Sequence, residues 1–229
     1  MAKRDGNTGV APSVIAIVSG GLDSTVMLQW AVSRGSVVEV VTFDYGQRHR
    51  REIDSARCAA SRLGLRHDVV DLSFLGALYR GGGGALLGDV AVPDGHYADE
   101  SMKATVVPNR NAIMLSIAVG VAIARKAPMV AYAAHAGDHA IYPDCRPVFA
   151  SAMDVVARLA DWHEVGIERP FVAMTKAQIV RIGSDLSVPM HQTWSCYKGG
   201  DVHCGTCGTC VERREAFAVA GVEDLTVYA

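Results

Sequence analysis

The sequence has no surplus of basic residues: 22 Lys and Arg stand against 24 Asp and Glu among 229 residues, a net charge of −2. That balance argues against direct contact with a nucleic acid, whose phosphates are met by clustered Lys and Arg. Long apolar runs are missing as well. The longest, Ala112 to Ala124, is too short to span a bilayer and is interrupted by Ser116 and Gly120. Lys3 and Arg4 are not followed by the apolar core and cleavage site of an export signal, and residues 1–12 read as a loose tail. Neither a Walker loop, G-x-x-x-x-G-K-[ST], nor the dinucleotide fingerprint G-x-G-x-x-G is present. Internal repeats are absent, and low complexity is confined to Gly81–Gly84. The cysteines are not spread as a disulfide framework would spread them, because four of the six lie between 196 and 210. These absences leave a cytoplasmic protein with no membrane segment, of a length that suits one large domain or one domain with an appendage.

What is present is an alternation of short β-branched runs and helical stretches. Strands are expected at Val14–Val18, Ser36–Phe43, Arg66–Leu72 and Met129–Ala134. Helices are expected at Asp23–Val32, Glu52–Leu63, Asn109–Lys126 and Phe149–Asp161. A further helix opens at a capping box, Thr175–Gln178, and Gly183 helps to end it. Continuous apolar strands separated by helices predict a doubly wound parallel sheet, an α/β architecture covering 13–189. Residues 190–229 read as a small metal-bearing appendage. The long polar connection from Gly84 to Thr105 suggests a functional loop.

The stretch Val14–Leu28, VIAIVSGGLDSTVML, raises the first chemical question. In an open parallel sheet, ligands bind beyond the carboxyl ends of the strands. Ser19–Thr25 falls at such an end, where glycines let the backbone approach an anion and the following helix presents N–H groups. The helix dipole adds about half a positive charge there. Asp23 or Ser24 is expected to cap the helix, and Val18 to Leu28 form the candidate nucleotide-binding segment. An ordinary tight turn with a capped helix is the competing account.

The second pattern is Cys196-x7-Cys204-x2-Cys207-x2-Cys210. Four thiolates complete a tetrahedral zinc shell and leave no position open for catalysis, so a structural zinc is expected, one per chain, pinning Trp194–Lys198 beside the active site. An iron–sulfur cluster is the competing occupant. Cys58 reads as core filler on its helix. Cys145, in a polar loop, is divided between an inert thiol and a group beside a substrate.

Polar residues gather after the remaining strands. Tyr45, Gln47, Arg48 and His49 follow strand two directly after Asp44. Pro108 and Asn109 suit a helix start, with Asn109, Arg110 and Asn111 as candidate contacts. Asp138, Asp144 and Arg146 lie beyond strand four. His67, His96 and His163 have no ligand spacing and read as ordinary residues.

Ser19-Gly-Gly-Leu-Asp-Ser24 resembles the SGGxDS loop of the PP-loop ATP pyrophosphatases, in which the loop grips the pyrophosphate of ATP while an oxygen is adenylated. SGGLDST, FDYGQRH, VPNRN, YPDCRP, TWSCY and the cysteine tail follow the order of the 7-cyano-7-deazaguanine synthase family, from about Val14 to Tyr228. The resemblance implies a sheet of the adenine-nucleotide alpha-hydrolase type and a C–N ligase of queuosine biosynthesis. It implies ATP, Mg²⁺, ammonia and 7-carboxy-7-deazaguanine as reactants and cofactor, and a homodimer. The candidate catalytic residues are Asp23, Ser24, Lys176 and Lys198. Rival readings are a tRNA-thiolating PP-loop enzyme and a relative that attaches the deazaguanine to a macromolecule. The near-neutral charge and closed four-cysteine spacing argue against the first, and the compact length against the second. A zinc-ribbon binding protein would leave the glycine loop without a purpose.

Overall fold

A computed structural model describes residues 13–47, 50–79, 84–87, 91–97 and 100–229. Five strands form one parallel sheet. The first is β1 (Val14–Ile17), and α1 (Leu22–Ser33) follows it. Next come β2 (Val38–Asp44), α2 (Arg51–Arg62), β3 (His67–Asp71) and two short helices, α3 (Phe74–Tyr79) and α4 (Gly84–Leu87). The second half runs through α5 (Arg110–Arg125), β4 (Met129–Ala131), α6 (Pro147–Leu159), β5 (Gly166–Glu168), α7 (Lys176–Asp185) and α8 (Gly208–Ala220). Strand order is β3-β2-β1-β4-β5, all neighbours parallel. The chain winds outward from β1 first to one edge and then to the other. The order therefore reverses between β1 and β4, and a crevice opens there at the carboxyl ends.

Helices cover both faces. One core packs α5 and α6 against Ile15, Val41 and Val130. The other packs α1, α2, α7 and α8 against Ala16, Val40 and Ala131. Alternation along each strand assigns neighbouring residues to opposite faces, as Ile15 and Ala16 show. Helix α1 is buried nearly all round, through Leu22, Val26, Met27, Leu28 and Ala31. In α2 the buried positions Ile53, Ala56, Ala59 and Ala60 follow helical spacing. Cys58 lies outside that stripe and is exposed, so it is not core filler. No helix among the described residues is long and apolar enough to cross a membrane.

Several sequence-based expectations change. Strand β4 ends at Ala131 rather than Ala134, because its neighbours stop pairing there and Tyr132–Ala134 turn into the crevice. Strand β5 and helix α8 have no counterpart among the elements expected from the sequence. Helix α7 opens at the expected capping box, in which Thr175 Oγ1 accepts from Gln178 N–H. It does not stop at Gly183. A Cβ at that glycine would lie 2.8 Å from both Met190 Sδ and Val26 Cγ2, so the residue serves close packing of α7 on α1. Asn109 caps nothing through its side chain and sits in the left-handed region at φ 58°. The start of α5 is instead met from outside, by Asp144 Oδ2 accepting from Asn111 N–H at 3.0 Å. Residues 1–12, 48–49 and 81–83 lie outside the described residues, so the expected tail, Arg48, His49 and most of the glycine run carry no structural account.

Candidate active site and metal centre

The crevice at the switch point is an open cleft of about 220 Å³. One end of it is the loop between β1 and α1. Gly20 has φ +94°, and a Cβ there would collide with the Glu52 carbonyl oxygen of α2. Only glycine fits that position. Gly21 differs: its backbone is extended, at φ −71°, and the nearest atom to an added Cβ is Ser19 Oγ at 3.5 Å. The fold does not require a glycine there, yet Gly21 lines the cleft. No side chain caps α1, contrary to the expectation for Asp23 and Ser24. Ser24 Oγ donates back to the Gly21 carbonyl at 3.2 Å and lies 3.2 Å from Ser19 Oγ. The helix thus keeps its first N–H groups clear of side-chain acceptors, at the end where its dipole favours an anion.

Val18, Ser19, Gly21, Leu22, Asp23 and Ser24 line the cleft. Gly20 and Thr25 do not, and Val26, Met27 and Leu28 face the core, where they anchor the helix. Lys176 also lines the cleft, from the first residue of α7. A cation at a helix N-terminus opposes the dipole, so carboxylates must hold it there. Lys176 Nζ is 2.7 Å from Glu212 Oε2 and 3.1 Å from Asp23 Oδ2. Burial works against its charge, but the two carboxylates outweigh it and push the Lys176 pKa upward. Burial would raise the Asp23 pKa, yet Lys176 above all brings it below the ordinary carboxylate value. Asp23 Oδ1 is buried without a partner. Next to this group, Asp138 accepts from Tyr97 OH at 2.9 Å and from the His135 backbone N–H at 3.2 Å.

The other end of the cleft is aromatic. Five of the seven tyrosines line the cleft as a whole, Tyr97 beside Asp138 and Lys176 and the others Tyr45, Tyr132, Tyr142 and Tyr197. Arg110 Nη1 donates to Tyr45 OH at 3.1 Å, with its guanidinium 5.4 Å from the ring centroid. Burial moves the Tyr45 phenol up to about 12, against the pull of Arg110. Asn111 Nδ2 reaches the Cys145 thiol at 3.2 Å, and burial raises the Cys145 pKa strongly, which keeps it a neutral thiol. Tyr132 OH is buried without a partner. Glu52 is set deep but retains access to the cleft, and burial lifts its carboxyl to about 7 despite Arg110.

Five expected contacts lie elsewhere. Gln47 folds onto its own loop, its Oε1 accepting from Tyr45 N–H at 2.8 Å and its Nε2 donating to Glu52 at 3.0 Å. Asp144 holds the start of α5. Arg146 is exposed and donates to the His139 carbonyl oxygen at 2.9 Å. Lys198 pairs with Asp94 and donates to Thr206 Oγ1 at 3.2 Å, outside the cleft lining. Asn109 does not line the cleft either. His67 and His163 bond Thr42 and the Ala127 carbonyl, as ordinary residues do.

The sulfurs of Cys196, Cys204, Cys207 and Cys210 all lie within 4.8 Å of one another. A tetrahedral ion at about 2.3 Å from each thiolate would set them roughly 3.8 Å apart, and Cys204 and Cys210 are at 3.9 Å. Backbone N–H groups point at the same atoms: Cys207 N–H donates to Cys204 Sγ at 3.3 Å and Cys204 N–H to Cys196 Sγ at 3.4 Å. Four soft, adjacent sulfur donors fit one closed metal shell. The segment ahead of the cluster reaches the loop between β1 and α1, where Trp194 N–H donates to the Gly20 carbonyl oxygen at 3.0 Å. Trp194, Ser195 and Tyr197 line the cleft.

The model of a family described as queuosine biosynthesis protein QueC matches residues 13–221. The chain belongs to the QueC family. A 7-cyano-7-deazaguanine synthase of Allorhizobium ampelinum is 52% identical over 217 residues, covering 94% of this chain and 92% of that protein. The synthase of Rhizobium rhizogenes is 54% identical over 216 residues, covering 93% and 91%. Among solved structures, an NMN synthetase from Francisella tularensis superposes with a TM-score of 0.50 at 13% identity, over 93% of this chain and 79% of that one. That likeness extends to the fold alone. Within this QueC-family chain, sequence reasoning missed Glu52, Glu212 and the tyrosines at 97, 132 and 142. Glu212 had one signal, its place two residues after Cys210.

Proposed function

We propose that this chain is an ATP-dependent C–N ligase that converts 7-carboxy-7-deazaguanine and ammonia into 7-cyano-7-deazaguanine for queuosine biosynthesis. The observation that carries the reading is the uncapped, glycine-lined start of α1 at the switch point of the sheet, facing an aromatic cleft. Membership in the QueC family and the names of its relatives support the substrate. A carboxylate is a poor electrophile because oxide is a prohibitive leaving group. Adenylation converts that oxygen into a leaving group, and ammonia then gives the amide. A second adenylation, on the amide oxygen, allows elimination to the nitrile.

In this reading Ser19, Gly21, Ser24 and the first N–H groups of α1 receive the pyrophosphate, with Lys176 supplying positive charge where negative charge develops. The unpartnered Asp23 Oδ1 fits a ligand of Mg²⁺, which supplies charge neutralisation on the phosphates when bound. Tyr45, Tyr132, Tyr142 and Tyr197 enclose the planar base, and Arg110 and Asn111 orient it. Glu52, lifted toward neutrality by burial, is the carboxyl of the cleft suited to exchange protons during amide formation. Zinc is the proposed occupant of the four-cysteine shell, because iron–sulfur clusters interpose iron and sulfide between thiolates and would spread them further. It holds Trp194–Tyr197 against the cleft and takes no part in the reaction. A cytoplasmic homodimer completes the reading, and sedimentation tests the dimer.

The test is one incubation of the protein with 7-carboxy-7-deazaguanine, ammonium and Mg-ATP, followed by mass spectrometry. The primary amide should appear first and then decline as the nitrile accumulates. Folded, metal-loaded protein that leaves the acid untouched would overturn the assignment.

A further inference from the structure

Helix α8 connects the cysteine shell to the nucleotide loop. Cys207 is its N-cap and Cys210 sits in its first turn, so the metal shell fixes the position of the next residues. Glu212 follows within half a turn and points at Lys176, with Oε2 at 2.7 Å from Nζ. Lys176 Nζ in turn reaches Asp23 Oδ2 of the loop at 3.1 Å. All three side chains are largely buried, at 13%, 11% and 20% exposure for Glu212, Lys176 and Asp23. His135 Nε2 stands 3.4 Å from the same Nζ, and the Tyr97 ring centroid 5.8 Å from it. Neither carries a formal anion, and Asp138 adds its negative charge from farther away than the two carboxylates paired with Nζ.

The arrangement has a purpose that the Lys176–Asp23 pair alone would not serve. A lysine has four rotatable side-chain bonds, and with one anionic partner its ammonium would collapse onto Asp23. The second carboxylate, on a different helix, holds Nζ closer, at 2.7 Å against 3.1 Å for Asp23. The capping box at Thr175 and Gln178 fixes the backbone of Lys176 but does not touch its ammonium group. Placement of the charge therefore falls to Glu212.

We propose that Glu212 is a positioning residue that holds Lys176 within reach of the nucleotide phosphates, so that the affinity for ATP depends on the helix nucleated by the cysteine centre. The proposal rests on the reading of Ser19–Ser24 as a nucleotide loop. Glu212 itself touches neither substrate nor phosphate.

The test is a double-mutant cycle on full-length, metal-loaded protein, read by calorimetric binding of Mg-ATP without deazaguanine, with metal content and melting temperature measured for every variant. Glu212→Ala should weaken ATP about tenfold at unchanged metal content. Lys176→Met should weaken it by at least as much. The double variant should match Lys176→Met within twofold, because Glu212 acts through that lysine. Glu212→Gln keeps the volume and an acceptor oxygen, so it should lose about threefold or less, and that loss should vanish in the Lys176→Met background. It supplies the cycle should Glu212→Ala fail to fold. Wild-type affinity in Glu212→Ala, or losses that multiply in the double variant, would overturn the proposal while leaving the nucleotide loop standing. Wild-type protein that binds no Mg-ATP would overturn the loop reading and this proposal together.

Discussion

The loop after β1 and the cysteine segment before α8 serve the same cleft with opposite materials. The loop works through backbone: two glycines, an uncapped helix start and a Gly21 carbonyl that accepts from Ser24 Oγ. The C-terminal segment works through side chains, four thiols gathered within 4.8 Å and a fully buried Arg213 that donates to Thr193, Ser195 and the Met190 carbonyl oxygen. One end is held by the sheet, since β1 is its central strand and α1 is buried nearly all round. The other lies outside the sheet and needs cross-links. The two meet at Trp194 N–H on the Gly20 carbonyl and are joined through Lys176 of α7, which pairs with Glu212 and with Asp23. The difference teaches that damage at the loop should cost ligand binding, whereas damage at the cysteines should cost structure first.

The sharpest break of that contrast is metal removal. Structural zinc in small domains contributes on the order of 10 kcal/mol, so Cys207→Ser or exhaustive chelation should melt the start of α8. Circular dichroism should show lost helix and a lower melting temperature, and ATP binding should fall with it. Unchanged helix content in metal-free protein would erase the distinction between the two regions.

Within the loop, the adjacent glycines separate fold from function. Gly20→Ala forces a Cβ against the Glu52 carbonyl at φ +94° and should cost about 2–4 kcal/mol of stability. Gly21→Ala meets only ordinary contacts, so stability should stay within about 0.5 kcal/mol. ATP affinity should nevertheless drop, because the methyl occupies the phosphate approach. Denaturant titration and nucleotide binding on both variants decide the matter, and equal stability of the two would refute the division of labour.

Glu52 offers a pH test. Its folded pKa, about 7, stands above the ordinary 4.5 because burial disfavours the charge. Between those values the folded protein binds more protons than the unfolded chain, so this group lowers stability as pH rises from about 4.5 to 7. The full effect is at most about 3 kcal/mol, less for the access Glu52 keeps to the cleft. Glu52→Gln should therefore gain stability relative to wild type between pH 5 and pH 8. A difference independent of pH would show the carboxyl to be ionised throughout.

The smallest effect belongs to Lys198. Half-buried outside the cleft and paired with Asp94, it should tolerate Lys198→Ala with under twofold change in turnover. A large loss would return it to the catalytic set.

The two regions also differ in how far the sequence discloses them. Backbone chemistry needs contiguous residues, so Ser19–Ser24 is readable as a motif, and thiol spacing is readable for the same reason. Strands β1 to β4 are visible as apolar runs. The three-residue β5 is too short to show, and α8 hides behind the cysteine pattern at its start. The tyrosine wall comes from five separated positions that only the folding of the sheet assembles. Lys198 stands next to a motif and misses the cleft, whereas Glu212 stands outside any motif and reaches Lys176. Gln47 and Asp144 are polar residues near the site that act on the backbone around it, a distinction that depends on side-chain direction rather than on residue type.

The central claim is that the loop activates the two carboxylate oxygens of the substrate in turn, each leaving with one AMP, and the ratio of AMP to nitrile measures it most directly. With 7-carboxy-7-deazaguanine, ammonium and Mg-ATP, about two AMP and two pyrophosphate should be released for each nitrile formed. Supplying the amide in place of the acid should halve the nucleotide used and remove the need for ammonium. Release of ADP and phosphate, or one AMP per nitrile starting from the acid, would contradict the account.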